Sequence, residues 1–325
     1  MRRSPGVAAE AEILPVVQAA AIEVGHGPEW LVETLWAEEG VGLVGGAPKC
    51  CKSWLALDLA ISIASGTRAL GTYPVPRAGP VLLFAAEDPP ATVRSRLLGL
   101  AVGRGLALER LPVHVILASS LRLDLDDDQA RLQETVARYR PRLLILDPFV
   151  RLHRIDENSA LEVSGVLAYL RELQRSLRVA VLVVHHARKA AAGADQVGQS
   201  LRGSGDFHAW GDSNLYLRRR RGALEMTIEH RSAPSPDPIC LALRADERSP
   251  PHLAITGPGD GPALEDDLGR RIVDAIAGAG RPLTQEALRA QLAVRLQRVV
   301  GTLRDLERDR RLVRSPAGWA LADAS

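Results

Sequence analysis

Nearly all-apolar runs recur along the first two thirds of the chain: Val41-Gly-Leu-Val44, Val81–Ala86, Val113–Leu117, Leu143–Leu146 and Val179–Val184. A run this short and this uniformly apolar fits a strand buried on both faces, which is the pattern of a parallel sheet covered by helices. Mixed segments with helical periodicity separate them. Trp54–Ala60 is one, and Ala91–Val102, Asp127–Arg138 and Leu161–Ser176 read as crossover helices. The alternation predicts an α/β core, and in such sheets ligands bind beyond the carboxyl ends of the strands.

The pattern changes after residue 210. Ser213–Leu217, Leu224–Ile228 and Ile239–Leu243 are punctuated by Arg-Gly and Pro-Ser-Pro turns and predict antiparallel hairpins that finish the sheet. The Gly/Pro/Asp-rich stretch Thr256–Pro262 reads as a linker. Beyond it come amphipathic helices at Leu268–Ala279, Thr284–Leu292 and Arg295–Arg310, then a strand pair around Leu312–Leu321 turned by Ser315-Pro-Ala-Gly318. Helix, helix, helix, wing is the order of a small winged helix-turn-helix domain. The expected division is an N-terminal helical segment over 1–30 with a helix at Ile13–Val24, a core over 31–256, a linker over 257–263 and the winged unit over 264–325.

The junction between the first apolar run and the first helix carries the sharpest signal. Gly46-Ala-Pro-Lys-Cys-Cys-Lys52-Ser53, followed by Trp54, reads as a phosphate-binding loop. Strand, Gly-opened loop and helix N-terminus come in the order that lets backbone N–H groups and the helix dipole meet phosphates. Gly46, Ala47, Pro48, Lys49, Cys50, Cys51, Lys52, Ser53 and Trp54 are its candidate contacts; Lys52 is placed to reach the β/γ-phosphates of ATP and Ser53 to hold Mg²⁺. Cys51 stands where the motif's second Gly belongs, a position that tolerates a small side chain if the backbone there is already helical. The chain has three lysines, and two of them, Lys49 and Lys52, fall in this loop.

Phosphoryl transfer to water also needs a base and a metal carboxylate. Asp147 closes the run Leu143–Leu146 as a second Mg²⁺ group, and Glu87 closes Val81–Ala86 as the candidate base. His186 ends the next run, where a polar group would feel the terminal phosphate; of the pair His185-His186 only one can face the site. Each has an ordinary alternative as a turn or strand-end polar group.

Composition narrows the function classes. A net charge of +2 hides no basic bulk, so nucleic-acid contact must come from local arginines. Three cysteines, two adjacent, make neither a disulfide framework nor a zinc site, and no long apolar span appears; a cytoplasmic protein with no membrane contact is expected.

The order Gly46…Lys52-Ser53, Phe84-Ala-Ala-Glu87-Asp-Pro-Pro, Leu146-Asp147-Pro and His185-His186-Ala-Arg-Lys189 resembles the RepA-like branch of the RecA/DnaB-type ATPases, the hexameric helicases of plasmid and phage replication. The resemblance implies a RecA-like core from about Leu31 to Ala245, ATP with Mg²⁺ held between identical subunits of a homo-oligomeric, hexameric ring, and DNA in the centre. In Thr227-Ile-Glu-His-Arg231 it implies an arginine finger at Arg231, with Glu229 where the family has a lysine. It implies DNA contacts at Arg151 and Arg154 after the Asp147 strand, and at Lys189 and Arg202 after the His186 strand. The winged unit adds Arg295, Arg298 and Arg304 as duplex contacts, on a helix that also carries Asp305, Glu307 and Asp309. A DNA motor is the leading expectation. An ATP-switched DNA-binding regulator is the second, and a protein-docking role for the C-terminal unit the third.

Overall fold

The computed structural model describes residues 16–22, 29–157, 159–186, 206–220, 223–246, 249–256, 267–292, 294, 296–308 and 311–322. Strands β1 (Trp30–Val32) and β2 (Trp36–Ala37) form a small hairpin. The core then runs β3 (Val41–Gly46), α1 (Lys52–Ser65), β4 (Val81–Ala85), α2 (Pro90–Val102), β5 (Val113–Val115), α3 (Asp126–Tyr139), β6 (Leu143–Asp147), α4 (Ala160–Leu177), β7 (Ala180–His186), α5 (Asp206–Trp210), β8 (Ser213–Arg220), β9 (Ala223–His230), β10 (Ile239–Asp246) and β11 (Ser249–Thr256). All the strands from β3 to β11 join one sheet in the order β11-β10-β9-β8-β3-β7-β6-β4-β5. From β8 to β5 every pairing is parallel, and β9, β10 and β11 are added antiparallel at one edge. The fold is therefore α/β with a largely parallel sheet.

Both faces of the sheet are buried, as the uniform apolar runs require. On one face Val44, Leu83, Ile145, Leu182 and Leu215 pack with Leu55 and Leu59 of α1 and Leu97 of α2. On the other, Leu43, Phe84, Leu146 and Val183 pack with Leu132 of α3 and Leu167 of α4. The two sets alternate along each strand, so successive residues feed opposite layers. A buried ion pair fixes α1 to the chain after α2: Asp58, only 1% exposed, receives the Arg104 guanidinium at 2.5 Å and the Leu70 amide at 2.8 Å. That pairing satisfies a carboxylate that burial would otherwise make costly.

Helices α2, α3 and α4 lie within one residue of the segments their periodicity predicts. Three expectations need correction. Residues 16–22 hold one 3₁₀ turn, Ala19–Ala21, with Val16, Val17 and Ile22 exposed; the rest of the predicted 13–24 helix lies outside the described residues. The strand expected to end at Glu87 ends at Ala85, although the Ala86 amide still donates to the Asp147 carbonyl at 2.8 Å. Strand β8, expected to open an antiparallel set, pairs parallel with β3 and turns only afterwards. The expected linker at 257–262 falls outside the described residues.

The C-terminal unit comprises α6 (Asp267–Ala279), α7 (Gln285–Leu292), α8 (Leu296–Arg308) and the hairpin of β12 (Leu312–Ser315) and β13 (Gly318–Leu321). Leu268, Ile272, Ile276, Leu288, Val299, Leu303 and Trp319 form its own apolar cluster. Leu283 bridges to Trp319 through reciprocal amide–carbonyl bonds of 3.0 and 2.9 Å, which ties the approach to α7 onto the hairpin.

Candidate active site

Strand β3 delivers the loop 46–51 to the N-terminus of α1, at the carboxyl edge of the parallel strands. Gly46 permits the first step. Its φ is +151°, and a Cβ there would stand 2.2 Å from the Leu217 carbonyl oxygen of β8. Further along, Lys49 (φ 65°) and Cys51 (φ 60°, ψ 23°) both take the left-handed backbone. Cys51 is thus not helical, contrary to the condition under which its side chain was expected to fit; it occupies a conformation that favours glycine. The left-handed turn directly before a helix curls successive amides toward one point, an anion-binding concavity reinforced by the helix dipole.

Lys52, the first residue of α1, is only 4% exposed. Its Nζ donates to the Gly46 carbonyl at 2.9 Å and the Ala47 carbonyl at 2.8 Å, so the ammonium is held inside the loop curve. Burial lowers its pKa, while the negative charges that Cys50, Asp147, Cys51 and Glu87 can carry pull the other way. A buried cation lined up with carbonyl oxygens and open to a cleft is placed to exchange those weak partners for an anion.

The cleft encloses about 340 Å³ and is walled by the loop, Trp54, Ala85, Glu87, Asp88, Arg96, Asp147 and His186. Asp147 ends β6 beside α1 and lines the cleft together with Ser53. Burial pushes the Asp147 carboxyl up to about 6, with the Ser53 side chain opposing the shift. A hydroxyl and a desolvated carboxylate on one cleft wall fit a hard cation that would relieve the carboxylate's lost hydration. Among the described residues no cluster of three or more His, Cys, Asp or Glu could hold a metal alone.

Glu87 and His186 face each other across the cleft, with His186 Nε2 3.7 Å from Glu87 Oε2. Glu87 is 43% exposed and also accepts from Arg151 Nε at 3.1 Å. His186 Nδ1 is buried without a hydrogen-bond partner, and burial, aided by the Lys52 charge, lowers the ring's pKa. Its neighbour His185 points to the opposite layer, stacked on Phe207 at 4.4 Å, and burial pulls it down to about 4. The structure therefore gathers Lys49, Cys50, Cys51, Lys52, Ser53, Trp54, Glu87, Asp147 and His186 around one cleft.

Other expected residues lie elsewhere. Arg231 is at the amino end of the parallel strands: its amide donates to the Asp212 carbonyl, and Asp212 in turn accepts from the Val41 amide that starts β3. Its guanidinium donates to the Ala209 carbonyl and lies 3.7 Å from Asp212, so it does not meet the cleft of its own chain. Arg151 belongs to the cleft through Glu87, and Arg154 is exposed on the same loop. Lys189, Arg202 and Arg295 fall outside the described residues, as does the side chain of Arg298; Arg304 is exposed on α8. Sequence reasoning missed Arg96, whose guanidinium lies 5.4 Å over the Trp54 ring and pairs with Asp88 at 2.5 Å. Its only signal was its place on the helix that follows Glu87-Asp-Pro-Pro.

Comparison with solved structures places this sheet among known proteins. The DnaB-like replicative helicase studied with its interactions with primase superposes with a TM-score of 0.51 at 15% identity, over 65% of this chain and 57% of that one. The chain thus spans little more than half of that protein's length. The ATPase domain of G40P gives a TM-score of 0.47 at 16% identity, covering 63% of this chain and 82% of that one. The RadB recombinase gives 0.47 at 20% identity, covering 68% and 92%. The likeness to the DnaB-like structure is one of fold, the RecA-like α/β arrangement. The model of the AAA domain family matches residues 8–192, more than half of the 325 residues, and contains the loop, Glu87, Asp147 and His186. On that match, the chain belongs to the AAA domain family.

Proposed function

We propose that this chain is an ATP-hydrolysing DNA motor of the RepA/DnaB-like type, working as a homo-oligomeric, hexameric ring on single-stranded DNA. The observation that carries the reading is the convergence of Lys52, Ser53, Asp147, Glu87 and His186 on one cleft at the carboxyl edge of the sheet. Bound Mg²⁺·ATP supplies the reacting phosphoryl group. Lys52 gives up the Gly46 and Ala47 carbonyls to neutralise β/γ-phosphate charge, and Ser53 with Asp147 holds the cation. Glu87 Oε2 orients the attacking water and takes its proton, and His186 reads the terminal phosphate and relays its loss to the chain after β7.

Arg231 completes the site of a neighbouring subunit, since its place at the amino end of the strands keeps it from its own. Arg151 and Arg154, with Lys189 and Arg202, contact the DNA backbone, a sequence-independent and salt-sensitive attachment. Arg151 also bridges from that loop to Glu87, which couples the two events. The C-terminal unit acts as a winged helix, presenting Arg295, Arg298 and Arg304 to duplex DNA.

A second reading is favoured by that same ion pair. Arg151 engages the carboxylate that should activate water, which would slow hydrolysis and suit an ATP-switched DNA-binding regulator with little helicase activity. Strand displacement separates them. The motor reading expects ATP-dependent release of a labelled strand from a tailed duplex, lost in Glu87→Gln; release that is absent while nucleotide still controls DNA binding selects the regulator.

A further inference from the structure

The β8 flank of the phosphate loop carries a charge that the proposed mechanism does not use. Strand β8 runs beside β3 in register Val44↔Leu215, Gly45↔Tyr216 and Gly46↔Leu217, so the residues after Leu217 extend past the start of the loop. Side chains alternate along it. Leu215 and Leu217 enter the apolar layer that holds α1, whereas Tyr216 faces the other way, 3.1 Å from His208. Arg218 shares the Tyr216 face and is neutralised by Glu225. Arg219 therefore belongs to the α1 face, and its cross-strand partner Leu224 is buried in that same layer.

Arg219 is exposed, and among the described residues no carboxylate pairs with it. It is near enough to the loop for its charge to pull the Cys51 thiol pKa down, against the larger upward push of burial. The reacting groups lie on the opposite side of β3, since Glu87, Asp147 and His186 come from the ends of β4, β6 and β7. A nucleotide whose terminal phosphate meets those groups has its remaining phosphates over the amino end of α1, next to the β8 flank.

We propose that Arg219 is a further cation of the nucleotide site, supplied in cis, which holds the non-reacting phosphates of the bound nucleotide. The inference rests on the reading of residues 46–53 as a nucleotide phosphate loop. It assigns Arg219 to binding and not to the chemical step. The partner is the pair of phosphates shared by nucleoside diphosphates and triphosphates.

The test is calorimetric titration of the full chain with MgADP and with a non-hydrolysable MgATP analogue, beside steady-state hydrolysis of ATP. Arg219→Ala should weaken both nucleotides by a similar factor, roughly 10-fold for one charge-assisted contact at a solvent-exposed rim. It should raise KM while leaving kcat within about 2-fold of the wild type. Arg219→Lys should recover part of the loss and Arg219→Glu should deepen it. Unchanged affinity in Arg219→Ala overturns the proposal, as does a loss confined to the triphosphate or a fall in kcat at constant KM. Lys52→Ala tells that failure from failure of the underlying reading. If Lys52→Ala loses nucleotide while Arg219→Ala does not, only the Arg219 assignment falls; if Lys52→Ala binds like the wild type, the phosphate loop falls and Arg219 with it.

Discussion

Cys51 shows how one residue can depart from a motif without leaving its geometry. The chain places a side chain where the backbone has φ 60°, a conformation costing an L-residue roughly 1–2 kcal/mol. Cys51→Gly should relieve that strain and open the cradle; part of the gain is offset by the greater freedom glycine has when unfolded. The expected result is a melting temperature equal to or above the wild type's and nucleotide affinity equal or tighter, read by thermal unfolding with and without MgADP. Loss of binding would give the thiol a role of its own.

His185 makes a second residue-scale prediction. Its pKa is near 4 in the fold against an ordinary 6.5, so the unfolded chain takes up a proton that the folded chain refuses. Stability from this group is present above about pH 6.5 and is lost as pH falls toward 4. His185→Phe, which can keep the stack on Phe207, should make the fall in melting temperature between pH 7 and pH 5 shallower. An unaltered slope would mean that other groups set the acid sensitivity.

At the scale of elements, the parallel strands and their helices were legible because burial on both faces leaves uniform apolar runs and the crossovers keep a helical period. β11 was not, since it opens on Ser249-Pro-Pro, whose two prolines lack amide donors and are tolerated here at the sheet edge. The β1–β2 hairpin escaped notice because two- and three-residue strands carry no period. Lys52, Ser53 and Asp147 were legible as a motif plus a strand end. Arg96 and Arg219 were not, because their partners are set by tertiary packing and by strand parity.

Two glycines test the packing. A Cβ on Gly42 of β3 would lie 1.7 Å from the Ser213 carbonyl oxygen, so Gly42→Ala must part β3 from β8 and should prevent stable folding or cost several kcal/mol. Gly165 in α4 has nothing within 4 Å, so Gly165→Ala should stabilise by about 0.5–1 kcal/mol. Denaturant midpoints of the two variants check both signs in one experiment.

For the whole molecule, the proposed role of Arg231 in a neighbour's cleft would make assembly part of the mechanism. Mixing Arg231→Ala chains with Lys52→Ala chains should restore some turnover, because an intact Lys52 cleft can then meet an intact Arg231 neighbour; mixed assemblies shown to form but without turnover would remove the shared site. Residues 264–325, which include a separate apolar cluster, are expected to fold on their own. Trp319→Ala in that fragment should cost about 3–5 kcal/mol and abolish its cooperative melt by circular dichroism.

On the proposed function the loop, Glu87 and Asp147 hydrolyse ATP in response to DNA, and steady-state hydrolysis by the full chain, with and without single-stranded DNA, reads this out. Mg²⁺-dependent turnover is expected to rise with DNA, to be lost in Lys52→Ala through nucleotide binding, and to be lost in Glu87→Gln while nucleotide stays bound. Turnover by Glu87→Gln at the wild-type rate, or no hydrolysis by the wild-type chain with Mg²⁺ and DNA present, would contradict it.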